Sequence, residues 1–211
     1  MSASRRPVLW DVDTQVDFAH PGGALYVPGA EATLGNMARL AQWARDVGIA
    51  HVASADDHEL TDDEISLEPD YERTWPPHCL RGTPGARRVP ETEQADPVPV
   101  GLDPLPPESV AELVRGRREI LLLKKTVDVF DNPNTDAVIE ALHPSEAIVF
   151  GLASDVCDHR AIVGLRERGI PVTFVEDASR AISEERAAAC AAEWADLGVR
   201  VARTDDVVAG L

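Results

Sequence analysis

The sequence contains no uninterrupted apolar run of about 18 residues, so no segment is expected to span a membrane. Cysteine is sparse: three residues, at positions 79, 157 and 190, make an odd set unlike a disulfide framework. Positive charge is short as well. Lys and Arg number 20 against 37 Asp and Glu, a net charge of −17 and a pI near 4.6. A phosphate backbone or an anionic membrane surface would repel such a chain, so neither nucleic acid nor membrane is an expected partner. There is no internal repeat and no glycine-rich phosphate fingerprint, since Gly22-Gly23 lacks the spacing. The opening Met-Ser-Ala-Ser-Arg-Arg-Pro runs straight into Val8-Leu9-Trp10, too short to hold a signal peptide's apolar region. A cytoplasmic protein is the expectation.

What is present reads as one α/β domain over residues 1–211. Strands are expected at Pro7–Val12, Ile49–Ala55, Glu119–Lys124, Ala147–Phe150, Pro171–Val175 and Val199–Ala202. Helical spacing marks Glu31–Val47, Glu108–Arg115, Asp136–Leu142, the stretch from Cys157 to Arg168, and Glu184–Leu197. Strands alternating with helices imply a three-layer α/β/α, doubly wound parallel sheet of about six strands. Residues 56–107 lose periodicity, and ten of the sixteen prolines fall between Pro69 and Pro107. So long an irregular segment in a compact domain is usually functional or disordered, and Tyr71 and Trp75 favour order.

In open parallel sheets, ligands sit outside the carboxyl ends of the strands. At those ends lie Asp13, Gln15, Asp17 and Phe18, then Asp56, Asp57 and His58, then Lys124 and Lys125, and finally Cys157. The apolar run Ala147–Phe150, the break at Gly151 and the helical period after it place Cys157 near a first helical turn. Unpaired N–H groups and the positive dipole end there favour thiolate over thiol. Singly each residue has an ordinary explanation: Asp13 forms a turn, Lys124 ends a strand, His58 sits in a loop. Together an acid, a base and a sulfur nucleophile on one sheet edge fit nucleophilic attack on a carbonyl.

Four segments resemble the isochorismatase-like cysteine hydrolases, and within them the nicotinamidases: Asp13-x-Gln15-x-Asp17-Phe18, Asp56-x-His58, Trp75-Pro-Pro-His78-Cys-x-x-Gly82-Thr-Pro-Gly85, and Gly151-x-Ala153-x-Asp155-x-Cys157. A strand lysine completes the set. The resemblance implies a catalytic triad of Asp13, Lys124 and Cys157, with Lys125 competing and Lys124 preferred for its place six residues before Phe130. It implies an oxyanion site at the N–H groups of Ala153 and Cys157, with a cis peptide before Ala153. It also implies one divalent ion, zinc before manganese or iron, on Asp56, His58 and His78, with Glu64 at the spacing of a fourth ligand. Phe18 and Trp75 fall where relatives wall a pyridine ring. The implied activity is hydrolysis of nicotinamide to nicotinate and ammonia; a related small-amide or lactam hydrolase and a silent binding relative are the alternatives. Homo-oligomers are common in that group.

Cys79 reads as a packing residue and Cys190, within Ala187–Ala192, as helix core. Two departures from the pattern touch substrate choice rather than chemistry. Asp57 stands where an aromatic is usual, and Thr126–Asn134 is more typical of the wider hydrolase group.

Overall fold

The protein is described here by a computed structural model covering residues 6–210. The reading of the chain start through Arg5 therefore lies outside the described residues. Val8–Val12 (β1) is buried at all five positions, as a strand covered on both faces must be. It sits mid-sheet, paired in parallel with Ala50–Asp56 (β2) on one side and Ala147–Gly151 (β5) on the other. Glu119–Lys124 (β4) adds beyond β2, and Val98–Val100 (β3) beyond that. Val172–Val175 (β6) and Arg200–Ala202 (β7) extend the other half. The order is β3-β4-β2-β1-β5-β6-β7, with every pair parallel. Among the described residues the sheet thus has seven strands where about six were expected. The extra one is β3, inside the stretch read as irregular; its Val-Pro-Val sequence can only sit at an edge, because proline donates no ladder hydrogen bond.

Alternating side chains feed two cores. Trp10, Leu122 and Val149 pack under Pro107–Val114 (α3), Thr135–Leu142 (α4), Cys157–Glu167 (α5) and Glu184–Asp196 (α6). Leu9, Ile148 and Phe150 pack under Leu34–Val47 (α2) and Thr204–Val208 (α7). Each fully buried aliphatic or aromatic side chain contributes roughly 1.5–3 kcal/mol, so both faces are held strongly. The α2 helix begins at Leu34, later than its periodicity suggests, after a 3-10 turn at Ala30–Ala32. The one-turn helix Val16–Ala19 (α1) follows β1 directly. Among the described residues no helix is long and apolar enough to cross a membrane.

The segment after β2 is ordered by polar anchors rather than by secondary structure. Gln15 brackets Asp56 backbone, accepting its N–H at 2.8 Å and donating to its carbonyl at 2.9 Å. Asp17 accepts the N–H of Cys79 at 2.7 Å and that of Ala24 at 2.9 Å. A bridge between Ile65 and Trp75 closes the loop between them.

Candidate active site

The carboxyl ends of β4, β2, β1 and β5 are neighbours, so the residues that follow them converge. Asp13 leaves β1, Asp56 ends β2 opposite Lys124 on β4, and Cys157 opens α5 after β5. Gly151 makes the β5 turn possible: its φ is +149°, and a Cβ there would lie 2.1 Å from Val12 O. The Leu152–Ala153 peptide is cis, as the resemblance implied.

Lys124, 1 % exposed, is the hub. Its Nζ donates to Asp56 Oδ1, to Thr126 O at 2.8 Å and to Cys157 Sγ at 3.9 Å. It also lies 2.8 Å from Asp13 Oδ2, an ion-pair contact without hydrogen-bond alignment. Burial alone would strip its proton, but Asp13 and Asp56 hold it well above the ordinary lysine range. Lys125 points elsewhere, to Asp62.

The pull toward thiolate from the helix end is opposed by these surroundings. Burial pushes the Cys157 thiol well up; Lys124 opposes it, but Asp13 and Asp56 add negative charge beside the sulfur. A thiol held up in this way would need an adjacent carboxylate to take its proton. Asp13 fits: burial raises it, and the charge of Asp56 assists, against the pull of Lys124. Its Oδ1 accepts from Ser54 Oγ at 2.7 Å, a partner with no signal in the sequence. Around the sulfur, the N–H groups of Val156 and Asp158 both close onto Ala153 O at 3.0 and 3.1 Å, and the Cys157 N–H lies between them.

Beside this cluster Asp56, His58 and His78 bring ligand atoms within 4.8 Å of one another, all buried. His78 donates Nδ1–H to Pro76 O at 2.8 Å, which leaves Nε2 facing Asp56 Oδ2 at 3.3 Å. His58 contacts Asp62 through Nδ1, and its buried Nε2 has no hydrogen-bond partner. Burial lowers His58, keeping a lone pair on that orphaned nitrogen. Burial pulls His78 down too, but the hydrogen bond and charge of Asp56 win and hold it above its ordinary value. Asp56 is itself held low: burial would raise it, yet Lys124 and His78 prevail. Two imidazole nitrogens and a carboxylate, one nitrogen lacking any partner, fit a borderline divalent ion. Glu64 stands beside this set, its Oε2 3.5 Å from His58 Nε2 and its Oε1 accepting from Val127 N at 3.0 Å. Burial pushes it up to about 7.

A narrow, largely apolar cleft joins the two clusters. Phe18, Trp75, Asp56, Glu64, His78, Ala153 and Cys157 line it, with Leu25, Val27, Val127, Val156 and Ile182. The Phe18 and His78 rings stand 5.4 Å apart. Asp57 is absent from this lining; its carboxylate pairs with Arg81 at 2.5 Å. Val127 is the departure that does reach the cleft. Cys79 is fully buried on the α2 face and Cys190 packs against the α5 face, both away from the cleft lining.

A family model for the isochorismatase domain matches residues 8–206. The chain belongs to the isochorismatase domain family. It is 29 % identical over 187 residues to the nicotinamidase of Escherichia coli, covering 82 % of each chain. It is 43 % identical over 78 residues to the nicotinamidase/pyrazinamidase of Mycobacterium tuberculosis, covering 36 % of this chain and 39 % of that one. Among solved structures, a pyrazinamidase of Pyrococcus horikoshii in complex with zinc superposes with a TM-score of 0.73 at 22 % identity, covering 94 % of this chain and 99 % of that one. At that identity the likeness is one of fold. Family and relatives together indicate an amide-bond hydrolase.

Proposed function

We propose that this protein hydrolyses nicotinamide to nicotinate and ammonia through a Cys157 thioester. The observation that carries the reading is one cleft lined by Cys157, with Asp13 and Lys124 buried behind it, and by Asp56 and His78 of the Asp56–His58–His78 set, walled by Phe18 and Trp75. The names of the sequence relatives support it. In this scheme the Cys157 thiol gives its proton to Asp13 while the sulfur attacks the amide carbon. Lys124 stabilises the charge that appears on sulfur. The N–H groups of Ala153 and Cys157 receive the oxyanion. Asp13 returns the proton to the leaving nitrogen, which departs as ammonia and leaves the acyl group on sulfur. Water then cleaves the thioester, giving its proton to Asp13, and Cys157 regains its thiol as the acid leaves. Asp56, His58 and His78, with Glu64 beside them, would hold the divalent ion, zinc before manganese or iron. Such an ion would supply a Lewis acid able to hold a ring nitrogen of the substrate. Phe18 and Trp75 stack on the ring.

The test is ammonia release from a panel of small amides, nicotinamide and pyrazinamide included, by zinc-loaded protein. Nicotinamide should rank among the best substrates, and Cys157→Ala should abolish turnover while leaving the thermal melt intact. Release from no pyridine amide, with turnover of an aliphatic one, sinks the nicotinamide reading. Val127, an aliphatic wall where the sequence departs from the nicotinamidase pattern, favours a related small amide as the second reading.

A further inference from the structure

The chain holds only two lysines among its 20 Lys and Arg residues, and they are adjacent, Lys124 and Lys125. Lys124 is accounted for by the nucleophile. Lys125 is not, and its contacts lead to the other centre. Its Nζ lies 2.6 and 2.7 Å from the two oxygens of Asp62. One of those oxygens, Oδ2, also accepts the Glu59 N–H at 2.8 Å and faces His58 Nδ1 at 3.4 Å. His58 is fully buried, and the Asp62 side chain is only 13 % exposed. The imidazole therefore has its outer nitrogen on a carboxylate and its inner nitrogen, Nε2, without a partner among Asp56, Glu64 and His78.

We propose that Asp62 is a positioning residue for the metal ligand His58, and that Lys125 weakens its grip by sharing the same carboxylate. The inference rests on the metal reading above. A carboxylate accepting Nδ1–H fixes the tautomer that leaves the Nε2 lone pair free, and it makes that nitrogen a stronger donor. The Lys125 ammonium, a compact point charge held by both oxygens, draws off part of the negative charge that the imidazole would otherwise feel. The two neighbours of Asp62 thus act in opposite directions on one nitrogen. A loop clamp alone has a different signature: removal of either partner would loosen the loop and weaken zinc alike.

The experiment is zinc affinity of the full chain, by competition with a chromogenic chelator, with the melting temperature of the chelator-treated protein as a check on folding. Asp62→Ala should weaken zinc by about 10–100-fold, the range for loss of a partner behind a ligand histidine. Asp62→Asn keeps an acceptor but not its charge, and should fall between Asp62→Ala and the wild type; it serves as the measured variant if Asp62→Ala does not fold. Lys125→Met should bind zinc more tightly than the wild type, several-fold. If the wild type binds zinc and both Asp62 variants match it within about twofold, this role is overturned while the metal reading stands. Weakening by Lys125→Met overturns it equally, in favour of the clamp. A wild type that binds no zinc overturns the metal reading and this inference together.

Discussion

Ser54 carries no charge, yet it decides which oxygen of Asp13 remains available as a base. Its hydroxyl occupies Oδ1 at 2.7 Å, while Oδ2 has no aligned donor. A hydrogen bond to a carboxylate contributes about 1.5–3 kcal/mol. Ser54→Ala should therefore lower kcat by about tenfold to a hundredfold with little change in KM, and Ser54→Thr should restore it. Equal losses in both variants would mean that packing, not the hydroxyl, is what matters. Glu64 gives a second prediction. Burial lets it keep a proton up to about pH 7 without metal, and His78 is held protonated above its ordinary range. An ion must displace both protons, so zinc affinity should fall as pH drops through about 7. Glu64→Gln should remove part of that slope, leaving the His78 share; an unchanged slope in a chelator titration would exclude Glu64 from the site. At this scale the sequence was partly legible. The motifs singled out Asp56, His58, His78 and Cys157, which the fold brings to one edge of the sheet, but two adjacent lysines at the end of one strand point different ways, and only the fold settles which points inward. Ser54 was invisible because a lone hydroxyl in an apolar strand has no spacing to betray it.

Between elements, the contact that holds Lys124 and Cys157 in register is the packing of the β4–α4 connection on α5. Phe130, in the 3-10 turn Val129–Asp131, lies against Gly164 of α5, with the Arg168 guanidinium 3.7 Å from its ring centroid. A Cβ at position 164 would meet Phe130 Cε2 at 2.2 Å. Gly164→Ala should cost about 1–3 kcal/mol by overpacking, read as a lower urea midpoint, and should depress activity through the displaced Lys124. Wild-type stability in that variant would mean the ring moves freely. The long periodic elements were legible: β1, β2, β4, β5, α2 and α6 all lie within a few residues of where pattern places them. The elements missed are short ones set by context. β3 has three residues with proline at its centre, and α1 and α7 have four and five, too few for a helical period to register. The surroundings of the Cys157 thiol were only half legible for a related reason. Helix position and a nearby ammonium are visible in sequence, whereas the depth of burial and the two carboxylates that outweigh them are tertiary facts.

For the molecule as a whole, the net charge of −17 is a load on the folded state. Self-repulsion destabilises a compact chain, and salt relieves it: the screening length shrinks from about 30 Å at about 0.01 M salt to about 8 Å at about 0.15 M. The melting temperature should therefore rise across that range, by about 2–4 °C for each kcal/mol relieved. A fall would show that surface pairs such as Arg39–Asp205 and Arg168–Asp136 matter more than the net field. One carboxylate has a wider consequence. Asp56 gives one oxygen to Lys124 and turns the other toward both histidines, so the two centres share a residue rather than merely an address. Such a molecule is not modular. A lineage or an engineer cannot alter the histidine side of Asp56 without also disturbing the lysine side, and changes that succeed at this site should arrive in pairs, one on each side of that side chain.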